Sequence, residues 1–98
     1  MILVVDVGNT NITCGVYEGK NLKTTFRMTT RLPRTSDEYG ISICEMLRIN
    51  QINKEDIEGT IIASVVPNVM HALTGAFKRY VGTNPKIVGP GIKTGIKI

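Results

Sequence analysis

Asp6 is the first residue whose position could do chemistry. It closes the apolar run Ile2-Leu3-Val4-Val5 and opens Asp6-Val7-Gly8-Asn9-Thr10-Asn11. An acid at the carboxyl end of a strand stands where open α/β sheets place their ligands. A tight turn after it exposes backbone N–H groups, and Gly8 lets that backbone come close to an anion. Thr10, Asn11 and Thr13 add side-chain hydrogen-bond groups. A lone carboxylate beside bound phosphates suits Mg²⁺, held directly or through water, because Mg²⁺ keeps several waters. The bland alternative is a hairpin turn rich in Asn and Thr that holds no ligand. The buried strand before the turn and the Asn-Thr-Asn run weigh against that alternative.

Other polar residues give weaker signals. Gly89-x-Gly91 follows a short apolar run, but no helix opens after it and no Lys-Ser/Thr pair follows, so both nucleotide-loop patterns fail. That loop either shapes a substrate pocket or ends the sheet. Arg34, Asp37 and Glu38 cluster at a helix start, where acids more often serve as caps. His71 has no partner motif, and Ser64 has no His-Asp pattern around it. With one His and two Cys, Cys14 and Cys44, neither in a CxxC pair, the chain offers no zinc site. Both thiols read as buried residues of a reducing compartment.

The elements that must hold these residues follow from the apolar pattern. Ile2 to Val7 is a continuous, β-branched run, the mark of a strand buried on both faces. Ile12 to Tyr17 reads as a second strand, and Glu18-Gly19-Lys20-Asn21 as a turn. Leu22, Thr24, Phe26 and Met28 alternate, which predicts a third strand with one exposed face. Asn and Gly in the first turn suit positive φ.

Thr35-x-x-Glu38 is a capping-box signature. It opens a helix with Tyr39, Ile43, Met46 and Leu47 on one stripe. Asn53 could cap a short turn. Thr60 to Val65 is another buried strand, and Pro67-Asn68 opens a helix carrying Met70, Leu73 and Phe77, stopped by Gly82. Lys86-Ile87-Val88 is a last strand. The order β-β-β-α-β-α-β predicts a five-stranded mixed sheet with flanking helices at roughly 36–50 and 68–81. The first three strands are antiparallel neighbours, and the last two run parallel to the first. This is a ribonuclease H-like, actin-like half-domain in the α/β class.

Composition sets the outer bounds. The chain has 98 residues, 42% hydrophobic and 20% charged, which is a one-domain globular composition. The net charge of +4 is spread along the chain without interleaved aromatics, so a solvated face is favoured over a nucleic-acid patch. The first apolar run is too short for a signal peptide or a membrane span, which places the protein in the cytoplasm.

The motifs also resemble a known family. Asp6-x-Gly8-Asn9-Thr10-Asn11 is similar to the first phosphate motif of type III pantothenate kinases; other actin-like kinases usually have Gly where this chain has Asn9. The resemblance continues through Arg34-Thr35-x-Asp37-Glu38-Tyr39, Ser64-Val65-Val66-Pro67 and Gly89-Pro90-Gly91-x-Lys93-Thr94-Gly95, and it covers nearly the whole chain. It implies transfer of the ATP γ-phosphate to pantothenate, the first step of coenzyme A synthesis. It implies ATP, Mg²⁺ and a monovalent cation (K⁺ or NH4⁺) as cofactors, and a homodimer.

On that basis Asp6, Val7, Gly8, Asn9, Thr10, Asn11, Ile12 and Thr13 are the nucleotide-binding candidates. Asp6 organises the metal, and Gly89, Gly91, Lys93 and Thr94 are the substrate candidates. The family's proposed base lies in a Gly-Ala-Asp-Arg motif that does not occur before Ile98. The chain therefore reads as an N-terminal ATP-binding lobe, residues 1–98, without its second lobe. Two other classes compete: a regulatory protein like the Bvg accessory factor, and a ribonuclease H-like nuclease. The nuclease would need several carboxylates converging on two metal ions.

Overall fold

The computed structural model describes residues 1–29, 34–64 and 69–88. Strands β1 (Ile2–Val7), β2 (Asn11–Glu18) and β3 (Asn21–Thr29) come first, followed by helix α1 (Ser36–Ile49). A single 3₁₀ turn (Lys54–Asp56) leads into β4 (Gly59–Ser64). Helix α2 (Met70–Ala76) runs into a wider π turn (Phe77–Val81), and β5 (Lys86–Val88) completes the sheet. The sheet order is β3-β2-β1-β4-β5. β1 pairs antiparallel with β2 and parallel with β4, β2 is antiparallel to β3, and β4 is parallel to β5. The expected mixed sheet and its pairing are both present.

Both crossovers, β3 to β4 and β4 to β5, step in the same direction along this order. Right-handed connections then put both helices on one face. That face carries Leu3, Val5 and Val7 of β1, all fully buried and in one cluster with Tyr39, Ile43 and Leu47 of α1 and Leu73, Ala76 and Phe77 of α2. Among the described residues no helix covers the opposite face.

Three local details depart from the sequence reading. Leu22 is 47% exposed, although the alternation puts it on the same stripe as Phe26. A bulge explains this: Val16 pairs with Thr24, but Tyr17 pairs with Leu22. The extra residue, Lys23, turns Leu22 to the face opposite Thr24. Second, α2 does not stay α-helical to its end. The Gly82 N–H bonds the Phe77 carbonyl five residues back at 2.8 Å, and Gly82 has φ 84. Third, Asn53 makes no side-chain cap on the 3₁₀ turn. The expected starts of the segment after Ser64 (Val65, Pro67 and Asn68) lie outside the described residues.

The α1 stop shows why Gln51 has positive φ (63). The Ile52 N–H bonds the Leu47 carbonyl at 2.8 Å and the Gln51 N–H bonds Arg48 at 3.0 Å. This is a Schellman stop with Gln in the position that glycine usually fills. Ile52, next in the chain, is drawn into the core.

The two helices meet through glycine. A Cβ on Gly40 would lie 2.2 Å from Cδ1 and 2.4 Å from Cγ of Tyr80, so the whole ring would have to move. Tyr80 in turn donates its hydroxyl to Asp37 at 2.6 Å, which fixes the ring. Gly40→Ala gains roughly 1 kcal/mol of helix propensity. Overpacking costs more, about 1–3 kcal/mol, and the Tyr80–Asp37 bond is lost with it. A net loss of about 1–2 kcal/mol is expected in urea unfolding. An unchanged or raised midpoint would show that the helices separate freely.

A second buried contact joins β4 to the segment before β5. Thr60 and Thr83, both buried, share one hydroxyl hydrogen bond of 2.8 Å. Thr83→Val should cost about 1–2 kcal/mol, because the Thr60 hydroxyl stays buried without a partner. The Thr60→Val/Thr83→Val double variant should recover most of that loss. Additive single and double effects in the same unfolding series would contradict a paired origin.

Candidate functional site

The site is built from the carboxyl end of the sheet. β1 and β3 run parallel to one another because each is antiparallel to β2. β4 is parallel to β1. The turn after β1, the segment leading from β3 to α1 and the segment after β4 therefore gather at one end. α1 begins there, at Thr35, and runs back along the sheet.

Asp6 sits one residue from the end of β1, exposed, between buried Val5 and Val7. Strand alternation turns it onto the face away from the helices. There it lies opposite Thr13 of β2 on one side and Ala63 of β4 on the other. Among the described residues its carboxylate has no hydrogen-bond or ion-pair partner. The same row continues from Thr13 to Arg27 of β3. Directly paired residues share a face, so exposed Arg27 stands about 10 Å from Asp6 across two strand spacings. In the sequence Arg27 is one of a spread of basic residues, with no motif around it.

The turn itself corrects part of the sequence reading. The Gly8 N–H is not exposed for an anion; it bonds the Asn11 carbonyl at 2.9 Å. Among the described residues positive φ occurs only at Gly19, Gln51 and Gly82, so neither Gly8 nor its Asn neighbours need the left-handed region. Glycine is needed at position 8 for space: a Cβ would lie 3.3 Å from the Asn11 oxygen across the turn.

Asn9, Thr10 and Asn11 form the exposed tip. Asn11 Nδ2 reaches Thr10 Oγ1 at 3.4 Å, and Thr29 of β3 donates to the Thr10 carbonyl at 3.5 Å. Val7 and Ile12 are fully buried beneath the turn, so they carry it and do not face a ligand with their side chains. Thr13 is half-buried beside Asp6.

At the start of α1 the capping box is formed. Thr35 Oγ1 accepts from the Glu38 N–H at 3.1 Å, and Glu38 Oε1 accepts from the Thr35 N–H at 2.9 Å. Asp37 is not a cap; it accepts from Tyr80 at 2.6 Å and meets Arg79 at 3.5 Å. His71 is exposed on α2, and Ser64 ends β4 opposite Val7. Cys44 is only half-buried, unlike Cys14, and both thiols are free. Gly89, Gly91, Lys93 and Thr94 lie outside the described residues.

Among the described residues no group of three or more His, Cys, Asp or Glu could hold a metal by itself. The donor set does fit Mg²⁺, which is commonly bound by one or two carboxylates, waters and substrate phosphates. Asp6 is such a carboxylate, and Thr13 is beside it.

Comparison with known proteins decides the family. The family model for type III pantothenate kinase matches residues 2–98. The chain belongs to the type III pantothenate kinase family. It is 55% identical over 98 residues to a type III pantothenate kinase of Agathobacter rectalis, covering 100% of this chain and 38% of the relative. It is 48% identical to one of Bifidobacterium animalis subsp. lactis, covering 100% of this chain and 39% of that relative. The chain thus spans well under half the length of these relatives.

Solved structures support the fold alone. A Bacteroides thetaiotaomicron protein with an actin-like ATPase fold aligns with TM-score 0.63 at 10% identity, over 89% of this chain and 32% of its own. The ROK hexokinase of Thermus thermophilus aligns with TM-score 0.58 at 17% identity, over 90% and 34%. The fold is the actin-like half-domain expected from the element order.

Proposed function

We propose that the full-length protein transfers the γ-phosphate of ATP to pantothenate. The observation that carries this reading is exposed Asp6, unpartnered among the described residues, beside the Gly8–Asn11 turn, at the carboxyl end of the central strand of a family member. Transfer of this kind is mostly positioning and charge stabilisation, with little covalent work for the protein. The exposed tip from Asn9 to Asn11 offers donors to phosphate oxygens, and Thr13 adds a hydroxyl beside the acid. Asp6 would hold Mg²⁺ directly or through water. That ion, when bound, neutralises charge on the phosphates. Val7 and Ile12 fix the turn from below.

The monovalent cation (K⁺ or NH4⁺) and the homodimer belong to the same reading through the family. So do pantothenate contacts from Gly89, Gly91, Lys93 and Thr94. Residues 1–98 are the N-terminal ATP-binding lobe in this reading, and the acceptor's base comes from the other part. Free thiols fit a reducing, cytoplasmic setting. No helix of the described residues is long and apolar enough to cross a membrane.

The test is an assay of the full-length protein with ATP, Mg²⁺, K⁺ or NH4⁺, and pantothenate, read by mass spectrometry. Stoichiometric 4'-phosphopantothenate and ADP are expected. ATP binding without product would point instead to a regulatory protein like the Bvg accessory factor. Metal-dependent RNA cleavage would point to a nuclease.

A further inference from the structure

Two polar groups near the start of α1 are buried and have no partner among the described residues: Arg34 Nε and the Tyr39 hydroxyl. Tyr39 is 1% exposed, and the Arg34 guanidinium carbon stands 5.9 Å from its ring centroid. Leaving such groups unpaired costs stability, so a native orphan calls for a reason. A cation–π contact satisfies neither N–H nor O–H.

The acids that could answer Arg34 are already committed. Glu38 is closed into the capping box with Thr35. Asp37 is held by Tyr80 and Arg79 on the neighbouring helix. Glu45, the next acid along α1, pairs with Arg48. Arg34 is thus a half-buried cation with no ion-pair partner among the described residues. Its neighbour Tyr39 is a neutral donor, because burial raises its pKa above the usual tyrosine value, against the pull of Arg34. Both residues stand at the end of the sheet where the Asp6 turn lies.

We infer that Arg34 and Tyr39 form an oxyanion-binding pair that supplements the Asp6 turn. With the guanidinium 5.9 Å from the Tyr39 ring, an Nε–H and a phenolic O–H, each in need of an acceptor, stand on neighbouring side chains, and a phosphate or carboxylate has oxygens for both. Two sources of that chemistry meet at this end of the sheet: a nucleotide phosphate and the carboxylate of the acceptor. The identity of the anion rests on the phosphoryl-transfer reading; the existence of the pair does not.

The experiment uses the full-length protein with Arg34→Met, Arg34→Lys and Tyr39→Phe. Inorganic phosphate is the first probe, read as a thermal shift against chloride at matched ionic strength. Wild type should be stabilised. Arg34→Met should lose the shift, Arg34→Lys should keep part of it, and Tyr39→Phe should lose about half. A merely structural hydroxyl behaves differently: Tyr39→Phe would then raise the melting temperature and leave the phosphate shift intact. If Arg34→Met does not fold, the two conservative variants still decide.

In steady state, a KM for ATP raised roughly tenfold with kcat within about twofold assigns the anion to the nucleotide. The same rise for pantothenate assigns it to the acceptor. Wild-type phosphate shifts together with wild-type KM values in Arg34→Lys and Tyr39→Phe would overturn the inference. Failure of the phosphoryl-transfer reading looks different: no product from wild type, with the phosphate shift still lost in the variants.

Discussion

Asp6→Asn in the full-length protein is expected to lower pantothenate phosphorylation on the order of 10²-fold or more, the scale of losing one preorganised electrostatic contact. The substitution is nearly isosteric, and Asp6 is exposed, so the strand has no packing reason to change. Its neighbours Val5 and Val7 are fully buried and hold β1 in place whichever side chain stands between them. The loss should therefore appear in kcat at saturating ATP, with unfolding unchanged. It should deepen as Mg²⁺ is lowered, because an amide is a weaker ligand than a carboxylate. A variant that keeps the wild-type rate at saturating ATP and Mg²⁺ would reduce Asp6 to a turn residue. Arg27 on the same row offers a comparison: it is exposed and two strands away, so Arg27→Gln should weaken binding more than it slows the transfer.

The parts of this site that were legible in the sequence are those set by local pattern. The run from Ile2 to Val7 has no other reading than a buried strand, and the acid that interrupts it must then face away from the core. Thr35 and Glu38 announce their helix start by type and spacing, and the structure forms both reciprocal bonds. The row that joins Asp6 to Arg27 was hidden by one residue. The turn at Gly19-Lys20 sets Glu18 opposite Asn21, and a hairpin continued without interruption would put Phe26 opposite Thr13. The bulge at Lys23 shifts the register and brings Arg27 there instead. Apolar alternation does not record such a shift, because Phe26 and Met28 keep their period on either register. Gly8 is legible in the sequence, but for a different reason: turn chemistry suggests positive φ, while the need is clearance from a carbonyl three positions away in the same turn. The commitment of Asp37 to Tyr80 spans 43 residues of sequence. No local signal carries it, and without it Arg34 would have an acid at hand.

Cys14 is expected to resist alkylation until the protein opens, and to make the fold sensitive to alkali. It lies midway along β2, inside the sheet between Val5 of β1 and Phe26 of β3, and is fully buried. Burial alone pushes its thiol from 9.0 up to about 12. The thiolate is the nucleophile, so at pH 8 native Cys14 should react at least about 10²-fold more slowly than an ordinary thiol. Half-buried Cys44 should be labelled first. The sign of the pH effect follows from which state ionises. The folded pKa is raised, so the contribution of Cys14 to stability is complete below about pH 9 and is lost as pH rises towards about 12. Within that window one proton is released on unfolding, a slope of about 1.4 kcal/mol per pH unit at most. Tyr39 and Tyr80, both raised as well, add their own slopes above pH 10. The difference between wild type and Cys14→Ala isolates the thiol: the variant is less stable at pH 7 by the missing sulfur contacts, yet its stability should fall less steeply from pH 9 upward. Parallel pH profiles for the two proteins, or equal labelling rates for Cys14 and Cys44 in the native state, would mean that this part of the sheet is open to water.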